Sequence, residues 1–283
     1  MRFKGALLGI GVLAALAAFI VPAYVHAVAV WSLDEEFSYG FLITPLALGM
    51  VWWQRKALFA SIGRGSNVGL AIVVFALVLT LVSRRMGINA LGGIAISPLL
   101  FGTVVYLWGW RAARVLAFPI AFLIFGLGLY RGLLNSLGFA LQNITATGAA
   151  FAGQALGLHI VREGLVIQSQ TFAFVVAEAC SGMSSLLSLL ALAALWTYTT
   201  RGSLPGRVAV FFSVLPLVLL ANTARVTLVL LVANWLGQDA AVGFFHGASS
   251  LVLFGLALSG LLLISRLVGC KLLSTAFING PSY

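Results

Sequence analysis

Charged side chains are scarce in this chain, making up 8% of its 283 residues, and only 6 residues are acidic. A soluble domain carries roughly a quarter of its residues charged. The hydrophobic share of 62% and the mean hydropathy of +1.13 therefore exclude a mostly water-facing surface. The net charge of +10 does not indicate a nucleic-acid-binding protein, because the 16 basic residues separate apolar runs and form no patch with aromatic residues.

Cysteine and histidine are also rare, with 2 and 3 residues respectively. They are scattered without metal-ligand spacing, so we expect no metal site, and the glycines form no phosphate-binding loop, so we expect no cofactor. Cys180 and Cys270 lie on opposite sides of the membrane in the topology predicted below, and we expect no disulfide between them. No repeat, low-complexity tract or long linker divides the chain, which we expect to form a single transmembrane domain over residues 1–283.

What the chain has instead is a series of apolar runs near the length of about 20 residues that a membrane-spanning helix needs. The predicted spans are residues 6–30, 37–54, 66–83, 87–109, 113–130, 181–200, 208–236 and 243–265. The second is at the short end of the range, and the seventh is too long for one simple span. The predicted fold class is an all-α integral membrane protein, a polytopic bundle of about eight transmembrane helices with a small cap at the outer face.

The orientation follows from the tendency of Lys and Arg to accumulate in cytoplasmic loops. With Arg2 and Lys4 inside, most basic residues fall inside, all acidic residues fall outside, and Arg84–Arg85 is the one poor fit. Both termini are then cytoplasmic, and we expect a multi-pass protein of the cytoplasmic (inner) membrane. The alternative for the N-terminus is a cleavable signal peptide ending near residues 26–29, which would remove one span and leave the rest of the topology unchanged.

The outer segment between the fifth and sixth spans, about residues 131–179, is the only sizeable one. Residues 135–158 have helical periodicity, and whether this helix lies along the interface or dips into the membrane stays open. Residues 165–176 are typical of short extended strands. We expect this segment to form the cap over the outer mouth of the bundle.

Three chemically reactive residues are predicted to lie at one depth, near the outer boundary. Cys180 opens the sixth span just after Glu178, and His246 opens the eighth. Arg225 follows the inner-boundary residue Arg207 by 18 residues, which is about 27 Å of helix and nearly a full hydrocarbon thickness.

Each of the three also has an ordinary structural interpretation: a small buried thiol, an interfacial imidazole and a snorkelling guanidinium. Arg225 carries the most weight, because a guanidinium within a span costs about 3 kcal/mol unless it is paired or hydrated. Asn222, three residues earlier, lies on the same helix face and could orient it. Glu178 could orient His246 or pair with Arg225, and the sequence leaves both open.

Such a set permits acyl transfer. The start of a helix favours a thiolate at Cys180, which would attack a peptide carbonyl. His246 would take the thiol proton and return it to the leaving amine. Arg225 would stabilise the oxyanion, helped by the backbone N–H groups of Ser181 and Gly182.

Five segments of the chain resemble the exosortase/archaeosortase family. The three signature blocks are Ala179–Leu187 around Cys-Ser-Gly, Ala221–Val226 with Asn-x-x-Arg, and Phe245–Gly247. The first outer loop, Trp31–Leu42, and the segment before the Cys block, Gly157–Val166, are similar as well. The resemblance covers nearly the whole chain.

The resemblance implies a membrane cysteine transpeptidase, a thiol protease with Cys180, Arg225 and His246 as its catalytic set. It also implies the partners: membrane lipid, and exported proteins whose C-terminal sorting signal combines a short motif such as Pro-Glu-Pro, an apolar helix and a basic tail. One departure is Tyr39, in Ser38-Tyr39-Gly40, where the family often has His. The sorting motif, the acceptor nucleophile and the effect of Tyr39 stay open.

Two other classes of protein fit the spans. A transporter or lipid-linked glycan flippase would use Arg225 as a site for a charged substrate, but it predicts polar residues through the bilayer middle, where this chain is nearly all apolar. A non-catalytic membrane subunit of exopolysaccharide assembly predicts that Cys180→Ala is harmless.

Overall fold

The structure is a computed structural model that describes residues 2–33, 37–127, 131–170, 172–176, 182–247 and 249–272. The chain divides into two compact units, one ending at Gly132 and the other running from Leu133 to Leu273. The elements of the first unit are α1 (Arg2–Leu33), α2 (Gly40–Trp53), α3 (Arg55–Ser61), α4 (Asn67–Met86), α5 (Asn89–Phe122) and a 3-10 helix (Leu123–Gly126).

The helix α5 is bent at Gly109, whose φ of 83° is in the region that favours glycine. The bend frees carbonyl groups, and the loop before α4 uses them: the Gly63 N–H donates to Trp108 O at 3.1 Å, and the Ser66 N–H donates to Val105 O at 3.1 Å. A Cβ at position 109 would collide with the carbonyl of Arg64. The α3–α4 loop is therefore held against the middle of α5.

Elsewhere in the first unit, Trp31 near the end of α1 contacts the 3-10 helix that follows α5. Its Nε1–H donates to Gly126 O at 2.7 Å, and its ring lies edge-on to Phe41. Gly40, the first residue of α2, lies so close to the Trp31 ring that a Cβ there would displace it. The small residue at position 40 thus permits this packing.

Arg84 and Arg85, the poor fit to the charge rule, lie in the last turn of α4. A cation there is favoured by the partial negative charge of a helix C-terminus. The Arg84 guanidinium also lies 5.8 Å from the centre of the Phe19 ring on α1. Local helix electrostatics and a cation–π contact therefore favour cations at this end of α4.

The second unit contains the helices α6 (Arg131–Ala155), α7 (Met183–Thr199), α8 (Leu204–Leu236), α9 (Gln238–Gly247) and α10 (Ser249–Leu267). Its strands are β1 (Val161–Glu163), β2 (Val166–Gln168), β3 (Ala173–Val175), β4 (Thr200–Arg201) and β5 (Lys271–Leu272). The strands β1, β2 and β3 form an antiparallel sheet in that order, and β4 pairs with β5. The predicted helix and extended strands of the outer segment are confirmed, with β1 as an addition.

The longest helix of this unit, α8, is defined by its ends. Ser203 caps its N-terminus, where the hydroxyl accepts a hydrogen bond from the Gly206 N–H at 3.2 Å, and Gly237 ends it with φ of 90°. Its C-terminal half joins α6, α9 and the three-stranded sheet in one apolar core. The central members of that core are Ala146, Ala149, Ile167, Val176, Val226, Val229 and Leu230.

At the opposite end of α8, hydrogen bonds join α8 to α7 and α7 to α10. The Arg207 Nε–H donates to Thr197 O at 2.7 Å, and the Trp196 Nε1–H donates to Ser265 Oγ at 2.9 Å. Cys270 is buried there, and a Cβ at Gly202 would lie 2.7 Å from its Sγ. Basic residues collect at this end: Arg201, Arg207, Arg266 and Lys271.

Within the described residues, four segments are long and apolar enough to cross a membrane: Leu16–Leu33, Asn67–Met86, Leu91–Gly126 and Leu204–Leu236. Three shorter apolar helices accompany them: Gly40–Trp53, Met183–Thr199 and Leu251–Leu267. The helical membrane fold is confirmed, and the count of eight spans stays a prediction.

Two predicted span boundaries are wrong. The expected loop at residues 110–112 is helical, because the bend at Gly109 changes the direction of the chain without a loop. The expected span 243–265 is two helices, α9 and α10, so its predicted start lies inside α9. The sequence carries Gly247 and Ser249 here, residue types that are common at helix ends, and the prediction of one span from hydropathy did not use them.

Candidate active site

The described part of the candidate site centres on Asn222 and Arg225, which lie one turn apart on α8. Asn222 is fully buried, and Arg225 is only 4% exposed. The opposite face of the same helix carries exposed Leu220. Asn222 and Arg225 are three residues apart and both buried, in agreement with the expectation that they share one face of α8.

A second helix fixes the carboxamide of Asn222. Its Nδ2–H donates to Thr145 Oγ1 at 3.0 Å, and Thr145 on α6 is also fully buried. The two helices also come very close beside this bond, since a Cβ at Gly148, three residues after Thr145, would lie 2.8 Å from Cγ2 of Thr223, the neighbour of Asn222. The close approach of the two backbones thus sets the geometry of the Thr145–Asn222 hydrogen bond.

Thr145 has no role in the interpretation of the sequence, where it is one of several polar residues on a helix of small apolar residues. Its signal is weak, because a threonine in a helix usually bonds its own backbone, as Thr227 Oγ1 does here with Thr223 O at 2.8 Å. Only the position of α6 beside α8 gives Thr145 its partner, 77 residues away in the chain.

Gly182 brings the start of α7 against Asn222. It is the N-cap of α7 with φ of 74°, and a Cβ there would lie 3.1 Å from Asn222 Cγ. A side chain at position 182 would therefore require both a strained backbone and a shift of the carboxamide. The proximity of Gly182 to Asn222 is a finding of the structure that the sequence did not predict, and the oxyanion role of the Gly182 N–H is a proposal.

Three predicted residues of the Cys block, Glu178, Cys180 and Ser181, lie outside the described residues. His246 is placed in the last turn of α9, and its side chain is outside the described part. The prediction that His246 opens the last spanning helix is wrong, since α10 begins only at Ser249. Its predicted role as acid and base is not tested by this placement.

Metal binding gains no support from the described residues, which contain no group of three or more His, Cys, Asp or Glu side chains. Since the Cys block is outside that set, the absence of a metal stays a prediction. The described polar groups of the site are instead one guanidinium, one carboxamide and one hydroxyl, which are donors suited to an oxyanion.

The fold and the site together define a polytopic helical membrane protein with a buried Asn-x-x-Arg pair facing the start of a neighbouring helix. Residues 30–263 match the family model described as transmembrane exosortase (Exosortase_EpsH). The chain belongs to this transmembrane exosortase family, which confirms the resemblance found in the sequence. No match was found among curated protein sequences or among solved structures.

Proposed function

We propose that this protein is a membrane-embedded cysteine transpeptidase that cleaves C-terminal sorting signals of the Pro-Glu-Pro type from exported proteins at the outer face of the cytoplasmic membrane. The observation that carries the proposal is the contact of Gly182 with Asn222, one turn from buried Arg225. Covalent geometry keeps the Cα of Cys180 within about 7.6 Å of the Cα of Gly182, because only two peptide units separate them. The family's Cys block and Arg block therefore belong to one site.

In the proposed reaction, the Cys180 thiolate attacks the scissile carbonyl and forms a C–S bond. Arg225 stabilises the oxyanion, in a site sheltered from water where its charge is worth more than in solution. The C–N bond then breaks, and the leaving amine takes the proton that His246 received from the thiol. An amine nucleophile then attacks the thioester and gives a proton to His246, the new C–N bond forms, the C–S bond breaks, and the thiolate is restored.

The arrangement of the second unit supports placing this site at the outer face. The basic residues at the α7–α8 junction mark the inner boundary under the charge rule. The uninterrupted helix α8 carries the chain 18 residues from Arg207 to Arg225, about 27 Å, which is nearly a hydrocarbon thickness. With the eight spans predicted from the sequence, we propose that both termini are cytoplasmic.

The test is co-expression with a Pro-Glu-Pro-type substrate, with processing followed by gel shift. We expect wild type to cleave and Cys180→Ala and Arg225→Ala to leave the substrate intact, while the residual activity of His246→Ala measures its share of the proton transfer. Cys270→Ala is the matched control, because this thiol is buried at the opposite end of the unit. Full processing by Cys180→Ala would refute a thioacyl mechanism and favour a non-catalytic role.

Mass spectrometry of the product separates the two possible acceptors. A product whose new C-terminus carries an added amine group supports transpeptidation. A free carboxylate alone would show that water is the acceptor and that the protein acts as a peptidase.

A further inference from the structure

The three-stranded sheet has a hydrogen-bonding register that leaves one edge of β3 open. The Val176 N–H donates to Leu165 O at 2.9 Å, and the Ser169 N–H donates to Phe172 O at 2.8 Å. Hydrogen-bonded and non-hydrogen-bonded pairs alternate along an antiparallel ladder. Between these two bonds, the hydrogen-bonded pair is therefore Ile167 with Phe174. The N–H and C=O groups of the two flanking residues of β3, 173 and 175, therefore point away from β2.

The side chains along this edge are accessible. Val175 is 57% exposed and Ala173 is exposed as well, whereas Phe172 and Val176 at the two ends are buried. Among the described residues, no backbone partner is found for the outward groups of Ala173 and Val175. Two donors and two acceptors at strand spacing are thus presented on one short edge.

The opposite edge of the sheet, on β1, presents fewer outward backbone groups. Only Arg162 has its backbone groups turned outward there, and its side chain is committed to the protein: the guanidinium donates to Asn143 Oδ1 on α6, and its Nε–H donates to Gly164 O at 2.8 Å. Asn143 thus ties β1 to α6. The β3 edge therefore presents two residues with outward backbone groups, and the β1 edge presents one.

The sheet that carries this edge shares an apolar core with the helix that carries the candidate site. The strand β2, which pairs with β3, contributes Ile167 to the apolar core that includes Val226, the neighbour of Arg225 on α8. The chain then needs only five residues from Val175 to Cys180, at most about 18 Å when fully extended. A peptide held along β3 would therefore have its next residues within reach of the nucleophile.

We propose that the outward edge of β3, Ala173–Val175, binds the substrate polypeptide by strand addition, so that the extended segment next to the scissile bond becomes a fourth strand of the sheet. The occupant is an extended polypeptide, because alternating main-chain donors and acceptors at this spacing are complementary to another strand and not to a lipid headgroup. The edge is three residues long, which suits transient binding of a short segment. This inference rests on the proposed transpeptidase function and specifies how its substrate is held.

The first test removes one outward donor and keeps the sheet. Val175→Pro deletes the N–H that faces the substrate, and proline is tolerated at an edge strand when its nitrogen points outward. Val175→Ala is the matched control, since it shortens the side chain and keeps the N–H. We expect the KM for substrate to be about 2- to 12-fold higher in Val175→Pro than in Val175→Ala, as for the loss of one hydrogen bond, with a smaller effect on kcat.

The second test does not depend on a folded variant. Peptides carrying the Pro-Glu-Pro motif and its apolar segment are N-methylated at one non-proline residue at a time, and their binding to Cys180→Ala protein in detergent is measured. Strand addition predicts weaker binding at every second position, because alternate N–H groups face β3. Equal effects at neighbouring positions, or unchanged KM in Val175→Pro, would overturn the proposal.

The outcomes separate this inference from the proposed function. Cleavage by wild type with a flat N-methyl profile would leave the chemistry standing and reject the β3 site. Alternating peptide binding without any cleavage would support the β3 site and reject the transpeptidase. Self-association through β3, seen as a dimer that Val175→Pro abolishes and added peptide does not disturb, would also reject the peptide as occupant.

Discussion

Replacing Thr145 by valine tests whether the buried contact between α6 and α8 supports the site. The change keeps the shape of the side chain and removes the hydroxyl that accepts the Asn222 Nδ2–H at 3.0 Å. Both residues are fully buried, so water does not replace the lost acceptor. Asn222 is then less firmly held where it touches Gly182, the residue that leads to the Cys block.

The size of the effect follows from measured hydrogen bonds between membrane helices, which average about 0.6 kcal/mol and reach about 1.7 kcal/mol. At about 1.4 kcal/mol per factor of ten, this corresponds to a loss of about 3- to 18-fold in the processing rate if the bond holds the site in its working geometry. The assay is the initial rate of substrate cleavage per unit of membrane-inserted enzyme. A thermal melt in detergent reports any loss of stability separately.

Thr145→Ser is the matched control, because it retains the hydroxyl, and we expect it to process substrate nearly as fast as wild type. A slow Thr145→Val with a fast Thr145→Ser would show that the hydroxyl and not the side-chain volume matters. If Thr145→Val matched wild type in both rate and melting temperature, the role assigned to this hydrogen bond would be refuted.

Three further predictions follow from the contacts in the second unit. Gly148→Ala places a methyl group about 2.8 Å from Thr223 Cγ2, so we expect a loss of about 1–3 kcal/mol in stability, measured by thermal melting. Gly138→Ala on the same helix meets nothing within 4 Å and should melt like wild type. Trp196→Phe removes the 2.9 Å hydrogen bond to α10 and should cost about 0.5–1.5 kcal/mol in the melt, with the KM for substrate unchanged; a raised KM would contradict a purely structural role. A membrane-impermeant maleimide added to spheroplasts should label wild type and not Cys180→Ala, and failure to label wild type would contradict an outer-face nucleophile.

The helical membrane fold was predictable because the apolar interior of the bilayer decides which segments can form spanning helices. Lipid-facing helices must be apolar along their whole length, and α4 and α8 carry that signal in every turn. The single helix that joins Arg207 to Arg225 was also predictable, since one apolar run covers both residues. Two of the short strands were predictable in outline, from the residues of the segment 165–176.

The form of two interruptions in these helices was not predictable from hydropathy. Near Gly109 the sequence predicts a loop, whereas the structure has a bend within α5 that depends on hydrogen bonds from Gly63 and Ser66, which only a folded chain brings together. The separate helices α9 and α10 were not predicted either, although Gly247 and Ser249 are residue types common at helix ends.

The sequence by itself determined the membrane environment, the family and the residues of the predicted catalytic set, because composition and motif blocks are properties of the linear chain. The tertiary structure alone decided that Thr145 holds Asn222, that Gly182 packs on that carboxamide, and that the outward groups of β3 have no backbone partner among the described residues. The physical reason is that these relations depend on helix packing and on strand register. Both are set by contacts between residues far apart in the chain, which no local pattern encodes.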